Sequence, residues 1–277
     1  MEIKQGRFSS KDLSIFWEAW LPEESPKAVV HTIHGFGEHI DRYNNVVDEL
    51  VPSGYALIGT DHRGHGRSGG RRCHVKSFME FIEDERQLFT EVISSLLSDI
   101  PYFVLGHSMG SIIAMNYVER YPEGIKGLIL SGTGSAPGSS VSKASLILAK
   151  IASRIAPGIH VKSPLPPDFI SRDPDVVKAY VDDPLVYDII TPRLAEQMYT
   201  YLAKGFEDAS RIRLPVLIQC GSSDTSFSGQ EDLYNRIDSK DKTIHIYEGL
   251  KHEVYNELLD DRAKVLGDLH TWVDKHV

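Results

Sequence analysis

The run Gly106-His107-Ser108-Met109-Gly110 sets a serine between two glycines in the pattern G-x-S-x-G. A serine hydroxyl is a poor nucleophile until a base takes its proton. The position of the run carries more information than its letters. It follows the apolar stretch Tyr102-Phe103-Val104-Leu105, read as a strand, and opens a helical pattern from Met109 to Arg120. A sharp turn between strand and helix would hold Ser108 in strained backbone, with the glycines leaving room for it. Its hydroxyl would then stand at the carboxyl edge of a sheet.

The partners of such a serine follow in the order acid, then histidine, each in a loop beyond its own strand. Asp224 lies in Gly221-Ser222-Ser223-Asp224, just past an apolar strand over 215–220, and His252 lies in Gly249-Leu250-Lys251-His252-Glu253, just past one over 243–247. Other candidates fit worse. His245 is inside a strand, His270 and His276 are on the terminal helix, and Glu248 and Glu253 are too near His252 in sequence to reach it from a separate strand. Acyl transfer also needs donors for a tetrahedral oxyanion. The Met109 N–H follows the serine directly. The loop His34-Gly35-Phe36-Gly37, after a strand over 28–33, offers the Phe36 N–H as a second donor. Asp61-His62-Arg63-Gly64-His65-Gly66-Arg67-Ser68 could suggest a metal, but it lacks a second ligand cluster. It reads as a rigid loop supporting the site, with His107 packing or bonding beside the nucleophile. No metal or cofactor is required by this chemistry.

These loops need a scaffold. Residues 2–8 and 12–20 read as a hairpin. Strands over 28–33, 55–59, 102–105, 125–130, 215–219 and 243–247 then alternate with helical patterns, including a long helix from Ser77 to Ser98 with a Ser77/Glu80 capping box and a last helix over 258–276. The alternation implies an α/β fold with a mainly parallel, doubly wound central sheet. After the sixth strand the rhythm breaks. Residues 136–210 carry eight prolines and helical patterns without a strand pattern. The expected division is a catalytic core of 1–135 and 211–277 with a helical lid of 136–210 inserted in it. Within the lid, Leu146, Ile147, Ala149, Ile151, Ala152 and Ile155 are spaced so that many share a helical face. That face could line an acyl tunnel, rest on a lipid surface, or pack on the core.

The 277 residues suit one such enzyme domain, and 41% hydrophobic residues can build its core. A net charge of −9 argues against nucleic acid as a partner. The basic run Arg67 to Lys76 reads as a solvated loop. Two distant cysteines form no disulfide framework, the first residues carry no apolar leader, and no apolar run is long enough to span a bilayer. The expected location is the cytoplasm, with peripheral membrane contact through the lid. The pattern leaves the oligomeric state open.

Taken together, the motifs resemble one branch of a family. His34-Gly35-Phe36-Gly37-Glu38-His39 with Arg42-Tyr43, then Asp61 to Ser68 and Gly106 to Gly110, resemble the monoacylglycerol lipase and lysophospholipase branch of the α/β-hydrolases. Ser171-Arg172-Asp173, Asp183-Pro184-Leu185, and Tyr247-Glu248-Gly249 with His252-Glu253 and Asn256-Glu257 extend the likeness from about residue 10 to 275. The resemblance implies an α/β-hydrolase fold, a triad of Ser108, Asp224 and His252, and oxyanion donors at Phe36 and Met109. The implied substrate is a small ester with an acyl chain, a monoacylglycerol first and a lysophospholipid next. A peptidase or amidase on the same scaffold and a non-hydrolytic ligand receptor are the alternatives.

Overall fold

A computed structural model describes residues 1–98 and 100–277. In chain order the elements are β1 (Glu2–Ser10), β2 (Leu13–Leu21), β3 (Ala28–Ile33), α1 (Asn44–Leu50), β4 (Tyr55–Thr60), α2 (Met79–Leu88), α3 (Ser94–Leu96), β5 (Tyr102–His107), α4 (Met109–Arg120) and β6 (Ile125–Ser131). There follow β7 (Ala136–Pro137), α5 (Lys143–Ile155), β8 (Val161–Lys162), α6 (Pro174–Asp182), β9 (Ile189–Ile190) and α7 (Pro192–Asp208). The chain ends with β10 (Val216–Gly221), β11 (Phe227–Ser228), α8 (Gln230–Arg236), β12 (Lys242–Tyr247) and α9 (Leu259–His276).

Eight strands form one sheet in the order β1-β2-β4-β3-β5-β6-β10-β12. The β1–β2 hairpin joins antiparallel at one edge, through β2 against β4, and the other six strands are parallel. Parallel strands buried on both faces read as continuous apolar runs, and β3, β4, β5 and β10 are buried at every residue. One face packs against α2, α4 and the end of α7 through Phe81, Ile112, Ile113 and Leu202. The other packs against α1 and α9 through Val46, Leu50, Leu269 and Trp272. This is the doubly wound sheet expected from the strand–helix alternation. All five parallel strands that precede a loop of the site end at the same sheet edge, and that edge carries the site.

Three expectations need correction. The helix read as continuous from Ser77 to Ser98 runs as α2, a wider π turn over Phe89–Ile93, and the short α3 ending at Leu96. Thr90 and Ser94 donate their hydroxyls back to carbonyls of Arg86 and Thr90, which competes with the regular ladder, and Val92 and Ile93 crowd the same turn. Its start is as expected, with Glu80 accepting from the Lys76 and Ser77 N–H groups and Ser77 Oγ accepting from the Met79 N–H. Second, residues 136–210 add nothing to the large sheet but do contain two-residue strands. β7 pairs with β11, and β8 with β9. Two residues are too few to leave an alternation in sequence. Third, Arg67 is not part of a solvated loop. Its guanidinium turns inward to Asp61 at 2.7 Å, Asp41 at 2.7 Å and Glu18 at 3.1 Å.

Candidate active site

Ser108 sits in the single residue between β5 and α4, with φ 55° and ψ −122°. A side chain in that region is strained by about 1–3 kcal/mol and persists only when its surroundings hold it. Here the Ser108 N–H donates to the Ser131 carbonyl at 3.0 Å, and its own carbonyl accepts from the Ser111 N–H at 2.9 Å and the Ser111 hydroxyl at 2.7 Å. The motif glycines have a separate task. A Cβ on Gly110 would come within 2.0 Å of the Ile33 carbonyl oxygen, and one on Gly106 within 2.4 Å of the Gly110 carbonyl oxygen. Only bare backbone lets the turn close against β3.

The two predicted partners meet. His252 Nδ1 lies 2.8 Å from Asp224 Oδ2, although the residues come from loops after different strands. The Asp224 carboxylate is wholly buried, and its other oxygen accepts from the Ser226 N–H at 2.7 Å. Burial alone would raise the Asp224 pKa, but the His252 imidazole and the Ser226 N–H bring it below the usual carboxylate value. Burial works against charge on His252 too, and the Asp224 carboxylate outweighs it, so the His252 pKa is raised. With Asp224 ionised, Nδ1 must carry the proton and donate, which leaves Nε2 as the free base. His107 packs on this ring at 4.8 Å between centroids and bonds Ser131 Oγ at 3.2 Å. Burial, then the nearby His252, push the His107 pKa down to about 3, so it stays neutral and does not compete as base.

Of the loop after β3, the Gly35 N–H is already committed to Glu38 Oε1 at 2.6 Å. Among the described residues, the Phe36 and Met109 N–H groups donate to no protein acceptor. Gly35 brings this loop against the serine: a Cβ there would stand 3.1 Å from Ser108 Cβ.

Gly35, Phe36, Ser108 and His252 line one narrow cavity of about 40 Å³. One wall is polar, made by Glu38, Arg42, Tyr180 and Glu253. Its lining also includes Phe36, Val141, Leu165, Met198 and Tyr199, and these five residues also line a larger apolar cavity of about 420 Å³. Leu146, Leu148, Ala149 and Ala152 of α5 also line it. The apolar residues of α5 thus divide between two faces. Leu146, Ala149 and Ala152 turn to the cavity, while Ile147, Ile151 and Ile155 are 62%, 52% and 79% exposed. Two apolar faces meet on one helix because its charges are confined to the narrow strip of Lys143, Lys150 and Arg154.

The sequence matches the hydrolase family described as serine aminopeptidase, S33, over residues 24–259. A monoacylglycerol lipase of Mycolicibacterium smegmatis is 36% identical over 95% of this chain and 94% of that protein. The chain belongs to this hydrolase family. It is a serine ester hydrolase with the α/β-hydrolase fold. A monoglyceride lipase of Rattus norvegicus is 30% identical over 95% of this chain and 88% of that protein. The solved monoacylglycerol lipase of Paleococcus ferrophilus superposes with a TM-score of 0.84 at 29% identity, covering 100% of both chains.

Around the hydrolase site, reasoning from sequence missed the roles of Glu38, Arg42, Tyr180 and Glu253. Arg42 donates to Glu38 at 2.6 Å and, with two nitrogens, to Glu253 at 2.6 and 2.7 Å. Its ring of partners includes Tyr180, whose ring lies 4.6 Å below the guanidinium. Arg42 and Glu253 are 211 positions apart, and no spacing rule connects them. The loop Asp61 to Ser68 supports the site as expected. Asp61 accepts from the Ile40 and Arg67 N–H groups, and His62, fully buried, bonds back to His34. Among the described residues, no group of three or more His, Cys, Asp or Glu side chains is arranged to hold a metal ion.

Proposed function

We propose that Ser108, His252 and Asp224 form the catalytic triad of a monoacylglycerol lipase, with the Phe36 and Met109 N–H groups as its oxyanion hole. The observation that carries this reading is that His252, held by Asp224, and the strained Ser108 line one cavity, together with the polar Glu38, Arg42 and Glu253, and that this cavity shares five lining residues with an apolar cavity of about 420 Å³. His252 Nε2 takes the hydroxyl proton as Ser108 attacks the ester carbonyl, and Asp224 holds the imidazole and balances its charge. The two N–H groups receive the oxyanion, the alcohol leaves with the proton from His252, and water repeats the sequence on the acyl-enzyme. The acyl chain occupies the apolar cavity. The glycerol hydroxyls face Glu38, Arg42 and Tyr180. A lysophospholipid would bring a charged headgroup to the same polar wall and is the next candidate.

In this reading residues 136–210 are a lid on a core of 1–135 and 211–277. The lid is held from both sides of the site. Tyr187 N–H donates to the Gly37 carbonyl, His39 bonds Asp183 at 2.8 Å, and Glu253 N–H donates to the Ile170 carbonyl. No helix among the described residues is long and apolar enough to cross a membrane. The exposed Ile147, Leu148, Ile151 and Ile155 instead suit a transient seat on a lipid surface, which delivers substrate at the cavity mouth. Vesicle flotation that is abolished by serine at Ile147, Ile151 and Ile155 supports this contact; flotation unchanged by the triple substitution removes it.

The family description favours a second reading, an aminopeptidase. A free amino group would want an unpaired carboxylate in the site, whereas Glu38 and Glu253 are both bonded to Arg42. A hydrolysis panel decides between the readings: monoacylglycerols of graded chain length, lysophospholipids, p-nitrophenyl esters and aminoacyl anilides. Turnover of anilides without acyl esters would overturn the lipase assignment, and Ser108→Ala with retained ester turnover would overturn the triad.

A further inference from the structure

Two adjoining prolines shape a segment of the insertion that runs beside the histidine loop. Pro166 is extended, and Pro167 opens a single 3-10 turn, Pro167–Phe169, where its fixed φ and missing N–H cost nothing. The Phe169 N–H closes the turn on the Pro166 carbonyl at 3.1 Å. Ile170, which follows, is buried. Beyond it, Ser171 donates its hydroxyl to the Asn256 carbonyl at 2.8 Å, and Arg172 donates to Glu257 at 3.0 Å and to Asp261. The turn is thus stiff in itself and anchored to the stretch after His252.

Three successive carbonyls of this segment meet three successive residues of the histidine loop. Lys251 Nζ donates to the Asp168 carbonyl at 2.5 Å, the His252 N–H to that of Phe169 at 3.4 Å, and the Glu253 N–H to that of Ile170 at 2.8 Å. The backbone of His252 therefore takes its seat from the insertion, although the residue follows a strand of the large sheet.

The Phe169 side chain reaches the imidazole as well. The two ring centroids are 5.2 Å apart and the planes 34° from parallel. This contact bears on a freedom that hydrogen bonding leaves open. Asp224 holds Nδ1, but among the described residues Nε2 has no protein hydrogen-bond partner. One bond at one nitrogen lets the ring swing about it, and the swing decides where Nε2 points. Packing must supply the remaining constraint. His107 and Phe227 lie at 4.8 and 6.0 Å between centroids, and Gly132 closes on the ring edge, where a Cβ would stand 3.0 Å from His252 Cε1. Those three neighbours come from outside residues 136–210. Phe169 comes from within them.

We infer that Phe169 is a positioning residue for His252: its ring restricts the swing of the imidazole about the Asp224 bond, so that a docked segment 168–170 completes the base. The inference rests on the reading of His252 as the base that serves Ser108. It gives the insertion two separate tasks. Helix α5 bounds the apolar cavity, and the turn at Phe169 serves the chemistry whatever the acyl chain.

An ester that needs no acyl cavity isolates this role. On p-nitrophenyl acetate, Phe169→Ala is expected to lower kcat by about 10- to 100-fold, with KM within about twofold of wild type. Phe169→Tyr, which keeps the ring, should recover most of that loss. Full kcat on the acetate in Phe169→Ala, a loss confined to long-chain esters, or equal losses in both variants would overturn the inference. The proton that His252 Nδ1 shares with Asp224 gives a spectroscopic reading. Its low-field proton resonance should be sharp in wild type and broadened by exchange in Phe169→Ala, and equal line widths would contradict a restricted swing. Nuclear Overhauser effects between the Phe169 and His252 rings in the free wild-type protein give a measurement independent of how the variants fold: their presence supports the inference, and their absence overturns it. Fluorophosphonate labelling keeps the two readings apart. Labelling of Ser108 at the wild-type rate in Phe169→Ala sinks this inference alone, whereas an unlabelled Ser108 in wild type sinks the triad and this inference with it.

Discussion

In the proposed triad Ser108, Asp224 and His252 have separable jobs, and their surroundings give each a measurable signature. His252 must be neutral to accept a proton, and its pKa is raised because the buried Asp224 carboxylate outweighs the burial of the ring. The acidic limb of kcat/KM should therefore lie above the ordinary histidine value of about 6.5. Activity is present above that limb and lost as pH falls through it. Asp224→Asn removes the opposing charge and the preference for the Nδ1–H tautomer. It should lower kcat by about 10⁴-fold and move the remaining limb to lower pH, read from a full pH–rate profile. Gly110 tests the turn rather than the chemistry. Gly110→Ala would drive a methyl into the Ile33 carbonyl, and loss of both activity and thermal stability is expected, by activity assay and melting. The pairing of His252 with Asp224 was legible in sequence because each lies in a loop shortly after a strand that an apolar run announces. The tie between Arg42 and Glu253 was not, since the two lie 211 positions apart.

At the scale of elements, the proposed reading makes α5 the helix that sets what the site admits. Its Leu146, Ala149 and Ala152 back the apolar cavity, and Met198 and Tyr199 of α7 complete the wall next to Ser108. Ala149→Phe would fill part of that space and displace the distal three or four methylenes of a long acyl chain. At about 0.8 kcal/mol for each, long-chain monoacylglycerols should lose roughly 50- to 200-fold in kcat/KM. Turnover of p-nitrophenyl acetate should stay near wild type, because the reacting end of the site is untouched. Equal loss on both esters would mean that the cavity does not hold the chain. The large sheet was readable before the structure, since buried parallel strands write themselves as apolar runs. The helical insertion was readable only in outline. Its two-residue ribbons leave no period. The apolar face of α5 merges a buried side with an exposed one, and periodicity cannot tell them apart. The π turn at Phe89–Ile93 arises from hydroxyls bonding back to the preceding turn, a competition that a count of apolar spacings does not register.

At the scale of the whole molecule, the site stays assembled because one buried cation joins segments from opposite ends of the chain. Arg42, just after the loop that carries Phe36, binds Glu38 on that loop and Glu253 beside His252. Burial alone would raise the Glu253 pKa, but Arg42 brings it down to about 2. Unfolded carboxylates titrate near 4, so this contribution to stability is complete above that value and is lost as pH falls toward 2. Asp61 and Asp224 also have lowered pKa values and add to the same trend, whereas burial keeps Glu38 raised and opposes it. Arg42→Met keeps the apolar stem and removes the charge. At neutral pH it leaves two buried carboxylates without their cation, a change that costs about 3–5 kcal/mol. Protonation of those carboxylates relieves the variant as pH falls, while it removes part of what stabilises the wild type. The difference in melting temperature between the two proteins should therefore be wide at pH 7 and narrow steadily toward pH 4. A gap of constant width would assign the loss to packing of the side chain instead, and would remove Arg42 as the electrostatic tie between the oxyanion loop and the histidine loop.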